Sequence, residues 1–199
     1  MKKIKMNKIY LDNETDSWYS YFILPENMKI TKNEFSELES LSPDSYQEYK
    51  IGNKLYKLNR KQKSYGFDYN FSGTVSKQTD YIPNIISKYI EYMNSLDESE
   101  NVYNMALVNW YKNGEDYIGY HSDETKPLFK NSSICCISFG AERNFYFKNK
   151  NTGKVTSVLL EHNSVVIMGG ECQKYYKHSI PKSKKVNNLR ISITLRKFM

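Results

Sequence analysis

Apolar residues alternate with polar ones over most of the chain beyond residue 102, whereas helical spacing is confined to two stretches before it. The alternation predicts strands near 103–111, 133–140, 143–148, 154–161, 164–168 and 188–197, punctuated by Asn113-Gly114, Asn151-Thr-Gly153, His162-Asn163 and Gly169-Gly170. Thr31 followed by Glu34 reads as a capping box, with Phe35, Leu38 and Leu41 on one helical face that ends before Pro43. Pro83 suits the first turn of a second helix, in which Ile82, Ile85, Ile86, Tyr89, Ile90, Met93 and Leu96 recur at helical spacing. Residues 1–30 read as irregular apart from the aromatic stretch Trp18–Leu24, which has the make-up of a strand; residues 45–75 read as strands joined by turns. Two helices followed by many short antiparallel strands predict an α+β fold, a double-sheet jelly roll backed by two N-terminal helices. At 199 residues, with no internal repeat and no linker, the chain suits one domain with a real core.

Composition narrows the partner rather than the fold. A net charge of +7 favours a polyanionic partner such as nucleic acid, and 18 tyrosines supply flat amphipathic surface for core, cavity lining or base stacking. No apolar run approaches the roughly 20 residues of a membrane span, and Met1-Lys2-Lys3 leads into no secretory segment. Alternation places Cys135 and Cys136 on opposite faces of a strand, as reduced core thiols. The chain is therefore expected to be intracellular and soluble, nuclear or cytoplasmic, with no membrane partner, and to act as a monomer.

Two constellations carry chemistry. In Leu189–Arg196, Leu189, Ile191, Ile193 and Leu195 share one face, while Arg190, Ser192, Thr194 and Arg196 share the other. That second face is either an anion site, because guanidinium pairs bidentately with carboxylate, or the solvated basic side of an edge strand. His121 and Asp123 share a face of an extended segment and can reach one ion, as Asn109 and Tyr111 share a face of theirs. With His178 they form a set of two histidines and a carboxylate, the ligand type that caps one side of a ferrous ion and leaves sites open. Spacing alone does not separate this from ordinary structural histidines. His162 falls in a turn and reads as surface.

Ordered motifs decide more. Val108-Asn-Trp-Tyr-Lys-Asn-Gly114, Ile118-Gly-Tyr-His-Ser-Asp123, Ser138-Phe-Gly140, His178-Ser-Ile-Pro181 and Arg190-Ile-Ser-Ile-Thr-Leu-Arg196 together resemble the AlkB family of iron(II)/2-oxoglutarate dioxygenases, which repair alkylated nucleobases. Arg60-Lys-Gln-Lys-Ser-Tyr-Gly66 and Tyr69-Asn-Phe-Ser-Gly73 extend the likeness to the DNA-repair branch, near the second and third human homologues. The resemblance covers roughly residues 45–197. It implies a single dioxygenase domain, with a nucleotide-recognition lid at about 45–75 and a catalytic core at 102–197.

By the same resemblance, His121, Asp123 and His178 would bind iron(II), and Asn109, Tyr111, Arg190, Thr194 and Arg196 would hold 2-oxoglutarate. Tyr69, Phe71 and Ser72 would line the base pocket; Glu124 would read the base edge; Arg60 and the Lys182–Lys185 cluster would grip phosphate from the surface; and Ile51 would be a wedge at a hairpin tip. The implied reaction consumes oxygen and 2-oxoglutarate, yields succinate and carbon dioxide, and hydroxylates an N-methyl group that leaves as formaldehyde. Its substrates would be alkylated DNA or RNA bases of the 1-methyladenine and 3-methylcytosine type. Thr125 and Lys126 depart from the acidic pattern after the metal aspartate, and no aromatic sits at the tip of Lys50–Leu55, so base and strand preference stay open. A demethylase of RNA marks, a protein hydroxylase and a non-catalytic nucleic-acid-binding jelly roll are the competing readings.

Overall fold

The period-two patterning is realised as two sheets facing each other, with the two longer helices on the outside of the larger one. The computed structural model describes residues 7–71, 74–79, 81–97 and 99–199. The strands are β1 (Ile9–Tyr10), β2 (Ser17–Ile23), β3 (Glu48–Ile51), β4 (Lys54–Lys57), β5 (Lys61–Tyr65), β6 (Tyr69–Phe71), β7 (Thr74–Ser76) and β8 (Gln78–Thr79). Then follow β9 (Met105–Tyr111), β10 (Ile118–His121), β11 (Ile134–Gly140), β12 (Arg143–Asn149), β13 (Val155–Leu160), β14 (Ser164–Gly170), β15 (Tyr176–Ile180) and β16 (Arg190–Arg196). The helices are α1 (Lys32–Ser40), α2 (Asn84–Leu96) and the single turn α3 (Cys172–Tyr175).

The major sheet runs β1-β2-β14-β11-β16-β9-β5-β8 and the minor sheet β10-β15-β12-β13; β3-β4 and β6-β7 are separate hairpins. This is the jelly roll that the patterning predicts. Alternation along the central strands feeds two cores. Val108, Trp110, Ile137, Phe139, Ile191 and Ile193 pack on the helix side with Leu38, Ile86 and Tyr89. Leu107, Tyr111, Cys136, Val166 and Met168 face the minor sheet, with Phe145, Phe147 and Ile180. All seven residues of β9 are buried for this reason: both of its faces are covered.

The capping box is formed, with Thr31 Oγ1 accepting from the Glu34 amide and the Glu34 carboxylate accepting from the Thr31 amide. Trp110 Nε1 donates to the Leu38 carbonyl at 3.0 Å and ties α1 to the sheet. Pro83 is the N-cap of α2 rather than part of its first turn, so Ile82 precedes the helix while still packing on the core. Within residues 1–30, the strand expected at Trp18–Leu24 is β2, which pairs along its length with β14, and the short β1 adds to its outer edge. Within 45–75, β5 belongs to the major sheet, between β9 and β8, and only the flanking hairpins stand apart from it. Cys135, Cys136 and Cys172 are free and buried. Among the described residues no helix is long and apolar enough to cross a membrane.

Candidate metal and cosubstrate site

β10 and β15 were not among the strands legible from alternation, and they carry the two histidines. They pair antiparallel with His121 directly opposite His178, after a shift in register between Ile118 and His121. The imidazole centroids lie 4.2 Å apart, and the His178 ring stacks on Phe145 at 5.3 Å. Asp123 follows β10, its amide held at 2.8 Å by Gln173 Oε1 of α3. One ligand atom from each of His121, Asp123 and His178 lies within 4.8 Å of the others. His121 Nδ1 is 2.9 Å from the Gly119 carbonyl, a contact that places the proton on Nδ1 and the lone pair on Nε2.

The two oxygens of Asp123 have different surroundings. Oδ1 accepts from the Arg196 guanidinium and, at 3.1 Å, from the Tyr69 hydroxyl. Oδ2 lies 3.4 Å from His178 Nε2 and is buried with no hydrogen-bond partner. Burial pushes the Asp123 carboxyl up, but the Arg196 guanidinium and the two histidines outweigh it and hold the group below the usual carboxylate range. Burial, reinforced by neighbouring His121, pushes His178 down to about 3; burial also lowers His121. The site is thus two neutral imidazoles and one carboxylate at neutral pH.

Those shifts have a consequence for stability. His178 takes up a proton near pH 6.5 in the unfolded chain but only near 3 in the folded one, so acid favours the unfolded state between those values. Asp123, with its folded pKa depressed, loses its contribution at still lower pH, in the same direction. The denaturation midpoint of metal-free protein is expected to change little from pH 7.5 to about 7 and then to fall progressively towards pH 5. A midpoint that is flat over this range would contradict a buried neutral His178.

A second group of side chains stands beside the metal cluster on β9 and β16. The register sets Tyr111 opposite Arg190 and Asn109 opposite Ser192. Arg190 is 0% exposed; its Nη2 donates to Ser138 Oγ at 2.9 Å, while Nε and Nη1 have no partner. Its guanidinium carbon lies 4.9 Å from the Tyr111 ring centroid. Asn109, Tyr111, Thr194 and Arg196 line, with the three metal candidates, one cleft between the sheets.

Similarity to known proteins agrees with this geometry. The model of the 2OG-Fe(II) oxygenase superfamily matches residues 15–196. The chain belongs to that superfamily. It is 32% identical over 157 residues to human DNA oxidative demethylase ALKBH2, an alignment covering 73% of this chain and 59% of that protein. It is 30% identical over 113 residues to human alpha-ketoglutarate-dependent dioxygenase alkB homolog 3, covering 52% of this chain and 40% of that one. These likenesses make it an AlkB-type superfamily member related to the DNA-repair branch. The chain therefore spans about three-fifths of the human ALKBH2 it matches. The solved structure of OsALKBH1 superposes with a TM-score of 0.59 at 20% identity, over 96% of this chain and all of that one, which shows the shared fold.

The superfamily's cofactor and cosubstrate, iron(II) and 2-oxoglutarate, fit the residues present. Two neutral imidazoles and an orphaned buried carboxylate oxygen make the donor set for a ferrous ion, with the remaining sites open. The unpartnered nitrogens of Arg190 lack only an anion, since a buried guanidinium without one is costly.

Several sequence expectations are placed differently. The basic face of Leu189–Arg196 is not the solvated side of an edge strand: β16 lies between β11 and β9, and Arg190 and Arg196 are buried between the sheets. Arg60, expected at the surface, is 4% exposed because it leads into an inner strand. It donates through Nε to Asn109 Oδ1 at 2.8 Å and through Nη2 to Gln62 Oε1 at 3.1 Å, and it lines the cleft. Tyr69 also lines the cleft but is 3% exposed, with the Arg196 guanidinium 4.4 Å from its ring centroid. Glu124 is exposed, as are Lys182, Lys184 and Lys185, and Lys182 pairs with Glu115 at 3.0 Å. His162 also accepts from the Gly140 amide, at 2.9 Å. Ser72 and the side chains of Phe71 and Ile51 lie outside the described residues. Met168, Phe145 and Ile180 line the cleft without having been singled out, while Ser192 reaches it from the polar face of β16. Cross-strand pairing was the missing signal for Phe145, whose ring meets His178 only once β12 pairs with β15.

Proposed function

We propose that this protein is an iron(II)- and 2-oxoglutarate-dependent dioxygenase that removes alkyl groups from the ring nitrogens of nucleic-acid bases, of the 1-methyladenine and 3-methylcytosine type. The observation carrying the reading is one cleft bounded by His121, Asp123 and His178, beside a buried arginine that lacks an anionic partner. Bound iron would supply oxygen activation coupled to decarboxylation of 2-oxoglutarate. His121 and His178 would present neutral nitrogens and Asp123 its Oδ2. Arg190 would take a carboxylate of the cosubstrate, with Ser138 fixing the fork and Tyr111 beneath it. Asn109, oriented by Arg60, together with Thr194 and Arg196 would complete the cosubstrate wall.

The substrate side rests on different support. The relatives that this chain matches include proteins named DNA oxidative demethylase, and the net charge of +7 suits a polyanion. Bases alkylated at these positions are cationic, which suits an exposed carboxylate such as Glu124 beside the metal aspartate. Phe71, Ser72 and Ile51 are assigned to the substrate by the family motif alone.

Purified protein with iron(II), ascorbate and 2-oxoglutarate is expected to remove methyl groups from 1-methyladenine and 3-methylcytosine in at least one of four oligonucleotide formats: DNA or RNA, single- or double-stranded. Mass spectrometry of the bases, with succinate measured in parallel, checks this. Succinate without methyl loss in any format would overturn the nucleic-acid substrate and leave the oxygenase standing.

A further inference from the structure

Tyr69 is the place where the β6–β7 hairpin meets the metal carboxylate. Its hydroxyl lies 3.1 Å from Asp123 Oδ1 and accepts from Arg196 Nη2 at 3.2 Å. Arg196 itself donates to the same Oδ1 and lies over the Tyr69 ring. Oδ1 is thus occupied by two donors, while Oδ2, with none, is the oxygen directed toward His178. A carboxylate held in this way offers one oxygen to a metal and cannot swing to offer both. The root of the hairpin is tied down beside this contact: Asp68 accepts from the Gln78 amide at 2.9 Å and pairs with Lys77 at 2.8 Å.

We propose that Tyr69 is a positioning residue that fixes Asp123 for one-oxygen coordination and couples the β6–β7 hairpin to metal occupancy. The inference rests on His121, Asp123 and His178 being the metal site. It differs from the base-pocket role implied by the family resemblance. A ring that is 3% exposed, with a guanidinium against its face, is committed to Arg196 in this arrangement. Groups that orient a ligand from behind are worth roughly 10- to 100-fold in metal affinity. The hydroxyl alone carries this effect, because phenylalanine keeps the ring under Arg196.

The test uses Mn(II) as the probe, with calorimetry for affinity and amide hydrogen exchange for the hairpin. In the wild type, Mn(II) is expected to bind and to slow exchange in β6 and β7. In Tyr69→Phe the metal-free melting temperature should stay near wild type, Mn(II) affinity should drop roughly tenfold or more, and exchange in β6 and β7 should no longer respond to saturating metal. A merely structural tyrosine would alter melting and leave the metal-dependent difference in place. Wild-type affinity in Tyr69→Phe, or a hairpin that ignores Mn(II) in the wild type, overturns the proposal; the second result needs no variant. Failure of the wild type to bind Mn(II) at all would instead overturn the metal site on which it rests.

Discussion

Replacing His178 with alanine is expected to abolish Mn(II) binding and to reduce succinate formation below detection. His178 is one of only two imidazoles in the cluster, and its partners cannot make up the loss. His121 is on the neighbouring strand at a fixed register, and Asp123 Oδ1 is already taken by Arg196 and Tyr69. The substitution also leaves a ring-sized gap against Phe145, between the sheets. Free imidazole should therefore restore part of the metal binding by entering that gap. Calorimetry with Mn(II) and a coupled succinate assay check the result, with far-UV circular dichroism confirming the fold. Wild-type metal affinity in His178→Ala would remove this histidine from the site.

Arg190→Met should produce two effects of opposite sign. In the absence of 2-oxoglutarate the wild-type protein buries a guanidinium with two unpartnered nitrogens, so an apolar side chain of similar length should leave stability unchanged or raise it. With 2-oxoglutarate present, the lost charge-assisted hydrogen bonds, at about 1.5–3 kcal/mol each, should raise KM for the cosubstrate by roughly 100-fold or more. Melting curves with and without 2-oxoglutarate, beside KM measurements, resolve the two. A variant that melts well below wild type and keeps its KM would make Arg190 a structural residue. Arg196 is expected to behave differently, because it is already engaged by Asp123, and its loss would disturb the Asp123 carboxylate as well.

Legibility in the chain followed physical scale. Strands buried on both faces, such as β9, β11 and β14, announce themselves through long apolar runs with turn residues at their ends. Both major helices were equally plain, from a capping box in α1 and an isoleucine-rich face in α2. β10 and β15 are four and five residues long and carry glycine, histidine and lysine, so periodicity had little to act on. The histidines they bear stood out by spacing only as one possible ligand set, and the family motif separated them from structural histidines.

The burial of Arg60, Arg190 and Arg196 could not be read locally at all. An alternating Arg-Ile-Ser-Ile-Thr-Leu-Arg strand looks the same whether its polar face meets water or a second sheet. Only the strand order, with β16 between β11 and β9 and the minor sheet opposite, decides that the polar face is an interior cleft.

The sequence by itself determined the two-sheet architecture with its helices and, through ordered motifs, the identity of His121, Asp123 and His178 as the metal candidates. Tertiary structure alone decided what surrounds them: a carboxylate with one oxygen engaged and one left open, and an arginine buried without an anion. The physical reason is that alternation and motif spacing are properties of one strand. Hydrogen-bond satisfaction and burial of charge are properties of several strands in register, and they arise only when the sheets close on each other.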